Sequence, residues 1–280
     1  MIILFMTIKF GPSGIGSVKD VEETFKEYNE KGIRAAEIPF TYGVFIKKKE
    51  DAEKVGNAAK KWNISLSIHA PYWINLNSKE SNKIEESKQR ILNSCEVGEW
   101  MGAKIVVFHA GFYGKDDKEK TYQNIKKAII EIMERIKEKK WKVKLGVETM
   151  GKINVFGSAE EVLKLVKESG CSFCLDFAHL HSRSLGKESY KEIFEKFKNF
   201  SNLHCHFSGI EFGEKGEKNH KKTPKEEIKK LSLALSKGKD ITIINESPFP
   251  VEDSIISIDI FGKEWLFTVC IYTQLIIWHY

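Results

Sequence analysis

The sequence of 280 residues predicts a (β/α)8 barrel. Eight short runs rich in β-branched and aromatic residues recur along the chain, with starts roughly 30 to 40 residues apart. Each interval contains a Lys- and Glu-rich stretch with helical spacing, so strand and helix alternate throughout. A doubly wound open sheet is the main alternative, but no GxGxxG follows the first run. Strict alternation repeated eight times favours the barrel.

The strands are predicted first, from the apolar runs. They are 2–9, 33–39, 64–70, 104–109, 143–148, 172–177, 202–207 and 241–246. Helices are predicted between them from apolar residues spaced three or four apart, as in 17–31 and 118–139. Ser158 and Glu161 form a capping box, which predicts a helix that begins there and ends before Gly170.

The composition bears on the cellular location of the protein and on the class of partner it can bind. A net charge of +6 and a pI of about 8.8 are compatible with a polyanionic partner without requiring one. Five cysteines, an odd number, and an N-terminal run without the basic leader of a secretion signal predict a reducing, cytoplasmic location. We expect one barrel domain over residues 1–255 and an apolar tail over 256–280, whose structure the sequence leaves open.

Polar side chains stand at the ends of six successive predicted strands. In a barrel the carboxyl ends of the strands form one rim, where the chemistry takes place. The residues expected at this rim are His69, His109, Glu148, Asp176 with His179, His206 and Glu246, and His220 follows on the next loop. Each alone is explained as a hydrogen-bonded polar residue. Together they form a set of imidazoles and carboxylates that suits Zn²⁺ or Mn²⁺.

Several motifs in this order resemble the endonuclease IV family of apurinic/apyrimidinic endonucleases, within the xylose-isomerase-like TIM barrels. The similarity covers residues 1 to about 255 and suggests a divergent member of archaeal type. The most specific motifs are "IHAPYWINL" at 68–76 and "CLDFAH" at 174–179. Four shorter ones follow the family's order: "FHAG", "GVETMGK", "HFSG" and "INESP".

The resemblance implies a zinc centre of two or three ions. One ion would take His69, His109 and Glu148, and Glu148 would bridge to a second ion. The second ion's further ligands would be Asp176, His206 and Glu246. The third would take His179 and His220, and Glu217 would replace an acid that the family has two positions before the latter and that is Lys218 here.

The resemblance also implies the reaction and the partner. The family hydrolyses the phosphodiester 5′ to an abasic site in double-stranded DNA, with Glu148 as the catalytic bridging ligand here. Tyr72 matches the aromatic residue that these enzymes push into the damaged duplex, and Lys221 and Lys222 are candidates for phosphate contact. A monomer without a stable protein partner is expected.

Two other functions stay open from the sequence. A sugar isomerase or epimerase on the same barrel would use one or two ions held mainly by carboxylates. A barrel that binds metal and DNA but cuts weakly or not at all would also fit, because the family's acid before His220 is replaced.

Overall fold

The computed structural model describes residues 8–236 and 238–277, with side chains up to residue 264. Eight parallel strands form the sheet, in the order β1, β10, β7, β6, β5, β4, β3, β2. Their bounds are β1 Ile8–Pro12, β2 Ala35–Pro39, β3 Ser65–His69, β4 Ile105–Phe108, β5 Lys144–Glu148, β6 Ser172–Asp176, β7 Asn202–Phe207 and β10 Asp240–Asn245. A separate antiparallel hairpin consists of β8 Gly209–Gly213 and β9 Gly216–Lys221.

Helices connect the strands and surround the sheet. They are α1 Val21–Glu30, α2 Lys49–Lys61, α3 Ser81–Met101, α4 Lys118–Glu138, α5 Ala159–Ser169, α6 Phe177–Arg183, α7 Tyr190–Phe197, α8 Lys225–Ala234 and α9 Pro250–Ile277. The predicted capping box is present at the start of α5, where Ser158 and Glu161 each accept from the other's backbone N–H. Gly170 ends that helix in the left-handed conformation.

The barrel is nearly closed by contacts between β1 and β2. Gly14 donates its N–H to the carbonyl of Glu37 at 2.8 Å, and Ser13 forms a parallel bridge with Glu37. The two strands approach so closely at Gly11 that a Cβ there would lie 1.8 Å from the carbonyl oxygen of Ala35. Only glycine fits at this crossing.

The predicted fold is confirmed, and one strand needs correction. Seven of the eight strands lie within one or two residues of the predicted runs. The first strand is Ile8–Pro12, so the prediction of 2–9 ended too early, and residues 2–7 lie outside the described part. Phe10, Gly11 and Pro12 extend the strand because they pair in register with Ile243, Ile244 and Asn245 of β10.

The C-terminal helix crosses the expected boundary between barrel and tail. α9 runs through residues 255 and 256 without a break. Its Phe261 is buried and packs edge-on against Phe10, with ring centroids 4.8 Å apart. Among the described residues, no helix is both long and apolar enough to cross a membrane.

Candidate metal centre

Glu148 lies at the centre of the rim, fully buried at the end of β5. Its Oε2 is 3.0 Å from Nε2 of His69 and 2.9 Å from Nε2 of His109. Its Oε1 is 3.2 Å from Nδ1 of His179 and 3.2 Å from Nδ1 of His206. The two carboxylate oxygens therefore face different pairs of imidazoles.

The charge state of Glu148 follows from these neighbours. Burial opposes ionisation, but the charges of His109 and His206 and the hydrogen bonds from His109 and His179 outweigh it, and the pKa of Glu148 lies well below its usual range. The carboxylate is thus ionised and aimed at nitrogen atoms, the state in which it could bind cations.

The first group of candidate ligands is His69, His109 and Glu148, whose ligand atoms all lie within 4.8 Å of one another. Nδ1 of His69 is 2.8 Å from the backbone oxygen of Ala70. A carbonyl can only accept, so Nδ1 carries a proton, and in the metal-free protein Nε2 carries a proton as well, which it donates to Glu148. A metal would take the place of the Nε2 proton, while the hydrogen bond from Nδ1 to Ala70 would keep the ring oriented.

The second group is Glu148, Asp176, His206 and Glu246, again with ligand atoms within 4.8 Å of one another. Oδ1 of Asp176 caps α6 by accepting the N–H of His179 at 2.7 Å. Oδ2 is buried and makes no hydrogen bond to the described residues. Burial raises the pKa of Asp176 above its ordinary value. A bound cation would satisfy the free oxygen and lower that pKa.

The third group is His179, Glu217 and His220. Oε2 of Glu217 is 3.4 Å from Nε2 of His179, and Oε1 is 3.9 Å from Nε2 of His220. The inner nitrogens have other partners: Nδ1 of His179 donates to the carbonyl of Thr149 at 3.0 Å, and Nδ1 of His220 lies 2.7 Å from the Ser208 hydroxyl. The hairpin of β8 and β9 carries both Glu217 and His220, whereas the sequence indicated only a loop.

A cleft of about 320 Å³ is lined by the histidines of the first and third groups, by Glu217 and by Glu246 of the second group. Tyr72 forms part of its wall and stacks on His109, with ring centroids 5.9 Å apart and planes at 20°. A second cleft of about 530 Å³ adjoins it and shares Tyr72 and Phe112. Its wall includes Tyr42 and Trp73, and all four aromatic side chains are about half exposed or more.

The two lysines expected at the DNA surface lie at the end of the hairpin. Lys221 is the last residue of β9 and is exposed. Lys222 is also exposed, and its Nζ is 2.6 Å from a carboxylate oxygen of Glu252 and 5.4 Å from the centre of the Phe249 ring. Lys222 is therefore held at the surface by its ion pair with Glu252. A DNA phosphate that contacted Lys222 would have to compete with this carboxylate.

The buried Glu37, which lies below the rim and pairs with the partly exposed His204, was missed by sequence reasoning. Glu37 on β2 is fully buried, and its Oε2 is 3.1 Å from Nε2 of His204 on β7. Its Oε1 is 2.9 Å from Nε2 of His206. The signal was a single Glu inside the apolar run "IRAAEIP". A charged residue in a buried strand requires partners.

The residues present fit divalent cations. Each of the three groups combines imidazole nitrogen with carboxylate oxygen, the donors preferred by Zn²⁺ and Mn²⁺. Their carboxylates lie close together, and Oδ2 of Asp176 is buried without a hydrogen bond to the described residues. Bound cations would offset the repulsion among these carboxylates.

Comparison with known sequences gives a match to one family and to several relatives. A sequence model of the xylose isomerase-like TIM barrel family matches residues 25–247. An uncharacterized protein of Methanocaldococcus jannaschii is 34% identical over 262 residues, which are 88% of this chain and 94% of that protein. An apurinic-apyrimidinic endonuclease of Caenorhabditis elegans is 30% identical over 142 residues, and a probable endonuclease 4 of Mycobacterium marinum is 28% identical over 135.

The endonuclease relatives match only in part. The aligned segments are 48% of this chain in both cases, and 35% and 51% of the two relatives. The chain thus aligns with about half or less of their length.

Solved structures of two kinds share the fold. Endonuclease IV of Thermus thermophilus superimposes with a TM-score of 0.67 at 18% identity, over 93% of this chain and 99% of that one. A D-tagatose 3-epimerase-like protein gives 0.67 at 21% identity, over 95% and 99%. The chain belongs to the xylose isomerase-like TIM barrel family, and its resemblance to the endonuclease IV group is confirmed.

Proposed function

We propose that the protein is a metal-dependent endonuclease, with zinc as the preferred ion, that hydrolyses the phosphodiester 5′ to abasic sites in duplex DNA. The observation that carries this proposal is Glu148, whose two oxygens face different imidazole pairs at 2.9–3.2 Å. A carboxylate in that position is suited to bridge two cations. The histidine-rich first and third groups favour zinc.

The protein's own residues would prepare the site for hydrolysis. Bound divalent ions would supply the Lewis acidity that a phosphodiester needs in order to be attacked by water at neutral pH. Glu148 would hold the ligand set together by contacting four imidazoles. Asp176 and Glu246 would add negative charge, which keeps cations close to the phosphate position.

The rim favours a polymeric substrate. The cleft at the metal groups continues into the second cleft, whose aromatic walls are exposed. Nucleobases stack on such side chains with little dependence on sequence. Tyr72, beside His109, is placed to occupy the space that a displaced nucleotide leaves.

Incision of a duplex oligonucleotide with a single abasic site tests the proposal. Wild-type protein is compared with Glu148→Gln and with Glu50→Gln, a matched change at an exposed position on α2. We expect cleavage on the 5′ side that is lost on chelation and restored by Zn²⁺ or Mn²⁺. Glu148→Gln should reduce the rate at least about 100-fold, whereas Glu50→Gln should not change it. Full incision after removal of metal would contradict the proposal.

A sugar epimerase is the second candidate, because of one feature of the site. The group of Glu148, Asp176, His206 and Glu246 has three carboxylates and one imidazole, a donor set that suits a single Mn²⁺. The cleft of about 320 Å³ would also accommodate a monosaccharide. Exchange of solvent deuterium into a ketohexose, without incision of abasic DNA, would favour this function.

A further inference from the structure

The buried carboxylate of Glu37 connects two histidines of β7 in the interior of the barrel, below the metal groups. Oε2 accepts from Nε2 of His204 at 3.1 Å, and Oε1 lies 2.9 Å from Nε2 of His206. Glu37 and His206 are fully buried, and the His204 side chain is 11% exposed. His204 also lines a cavity of about 410 Å³ that includes Lys9 and Asp240.

His206 differs from the other candidate ligands in the partner of its second nitrogen. Its Nδ1 faces the rim, 3.2 Å from Glu148 and 3.4 Å from Glu246, so Nε2 is the nitrogen turned away from the metal groups. His69 and His179 direct the corresponding nitrogen to backbone carbonyls, and His220 directs it to a hydroxyl. Nδ1 of His179 also lies near the rim carboxylates Glu148 and Asp176, whereas Nε2 of His206 faces Glu37, a carboxylate that belongs to none of the three rim groups.

Glu37 and His206 are in close contact, but their orientation does not give a hydrogen bond. Oε1 of Glu37 and Nε2 of His206 are both buried and neither makes a hydrogen bond to the described residues, although they are 2.9 Å apart. Buried polar atoms without partners are costly, and a small rotation of the ring would satisfy both at once. The pairing keeps one ring proton on Nε2, so Nδ1, which faces Glu148 and Glu246, is the nitrogen that a metal at the rim would take.

We propose that Glu37 is a positioning residue for the metal centre, and that His204 holds Glu37 in place. This inference rests on the proposed metal centre. A carboxylate that accepts the Nε2 proton fixes the tautomer and the orientation of His206 and makes Nδ1 more basic, which strengthens a metal ligand. Glu37 does not contact substrate, and it acts only through His206.

The same part of the barrel contains a second group of possible metal ligands. Ligand atoms of Cys174, His204 and His206 also lie within 4.8 Å of one another, as a metal site of their own would require. An ion there that bound Nε2 of His206 would remove this nitrogen from Glu37. His206 would then have to bind cations through both nitrogens, which requires a doubly deprotonated ring. The Glu37 pairing needs only a neutral imidazole.

Cobalt binding tests the inference without a need for enzymatic activity. Co²⁺ affinity is measured by competition with a chelator for wild type, Glu37→Gln and Glu37→Asp. Ser67→Ala is the matched control, because Ser67 is buried at the same register on the neighbouring strand β3. We expect Glu37→Gln to weaken the binding of one cobalt ion by about 10- to 100-fold. Glu37→Asp should recover part of that loss, and Ser67→Ala should stay within about twofold of wild type.

Two further measurements distinguish the proposed role of Glu37 from loss of folding and from metal binding at Cys174. His204→Asn changes a partly exposed residue, and it should weaken the same ion by a smaller factor with the melting curve retained. Wild-type affinity in Glu37→Gln, alongside weakened binding in Glu148→Gln, would overturn the inference. A thiolate-to-cobalt absorption band in wild type, lost in Cys174→Ser, would overturn it too, since the three rim groups contain no sulfur. Failure to cut abasic DNA would refute the proposed function and leave this result unchanged.

Discussion

Glu217 supplies the carboxylate of the third group of candidate ligands. The family's acid is absent two positions before His220, and Glu217, one position further back, lies between His179 and His220 instead. A β-bulge between Glu211 and Phe212 shifts the register of the hairpin, so that Phe212 pairs with Glu217. Glu217 can therefore take the place of the family's acid, which would stand at position 218, because the bulge changes the course of the hairpin backbone.

Replacing Glu217 tests this site directly. Glu217→Gln removes the only carboxylate of the group, so we expect one zinc ion fewer per chain, or at least about tenfold weaker binding of one ion. Glu214→Gln changes an exposed carboxylate in the turn of the same hairpin and should keep the full zinc content. Metal content is measured by elemental analysis after equilibration with a weak chelator. Equal zinc content in the two variants would show that Glu217 is not a ligand.

His69 gives the metal-free protein a dependence on pH. Burial acts to lower its pKa, but the hydrogen bond and charge of Glu148 outweigh burial and raise the pKa from 6.5 to about 9. A group with a raised pKa stabilises the folded state fully below the unfolded value and loses that contribution as pH rises through the folded value. Stability from His69, on the order of 3 kcal/mol, should thus disappear between about pH 6.5 and 9.

Urea denaturation of chelated protein across this pH range measures the effect. The free energy of unfolding should fall with pH in wild type, and His69→Gln should show a shallower fall. The pKa values of His179 and His206 are raised as well, by the carboxylates around them, so some slope should persist in the variant. An unchanged slope in His69→Gln would mean that the ring is neutral throughout.

The helices and strands show where the sequence was sufficient and where it was not. The barrel strands were predictable because buried parallel strands are short apolar runs, and polar residues at their ends were visible at once. The hairpin was not predicted, since β8 is a five-residue strand whose only large apolar residues are Ile210 and Phe212, and β9 has no apolar side chain. The turn "GEKG" between its strands was the available signal. The partners of Glu37 could not be predicted, because they lie across the barrel, 167 residues away for His204.

The hairpin depends on a glycine contact with the loop after β5. Gly216 has a positive φ of +85°, and a Cβ there would lie 2.2 Å from the carbonyl oxygen of Gly151. Gly216→Ala should push the hairpin away from this loop and displace Glu217, which donates its N–H to the same carbonyl at 3.3 Å. We expect at least about tenfold weaker binding of one zinc ion, with binding at the other two groups retained.

Gly213→Ala is the control for this change. A Cβ at Gly213 would meet only the end of the flexible Lys218 side chain, which can move aside. Zinc binding in Gly213→Ala should resemble wild type, and isothermal titration calorimetry of both variants compares them. Similar losses in the two variants would indicate that any change in the hairpin has the same effect, and that the contact with Gly151 has no special role.

Across the molecule, the barrel is compatible with both phosphodiester hydrolysis and sugar epimerisation. Endonuclease IV and an epimerase-like protein superimpose on this chain with the same TM-score of 0.67, so the fold does not choose between them. The choice depends on the number of occupied metal groups. Occupied histidine-rich groups beside Glu148 would indicate phosphodiester hydrolysis, whereas a single ion at the carboxylate-rich group would indicate sugar chemistry.

The C-terminal helix has a part in closing the barrel. Phe261, beyond the boundary expected at residue 255, packs on Phe10 of β1, the strand that meets β2 across the closing contact. Removing a buried aromatic ring leaves a cavity and costs about 3–5 kcal/mol. Phe261→Ala should therefore lower the free energy of unfolding by that amount in urea denaturation at neutral pH. The exposed Leu233→Ala on α8 should change it by less than about 0.5 kcal/mol. If Phe261→Ala changed the free energy of unfolding as little as Leu233→Ala does, residues 256–264 would not contribute to the stability of the barrel. A large loss would make them part of the same cooperative unit as β1, and the domain would extend beyond residue 255.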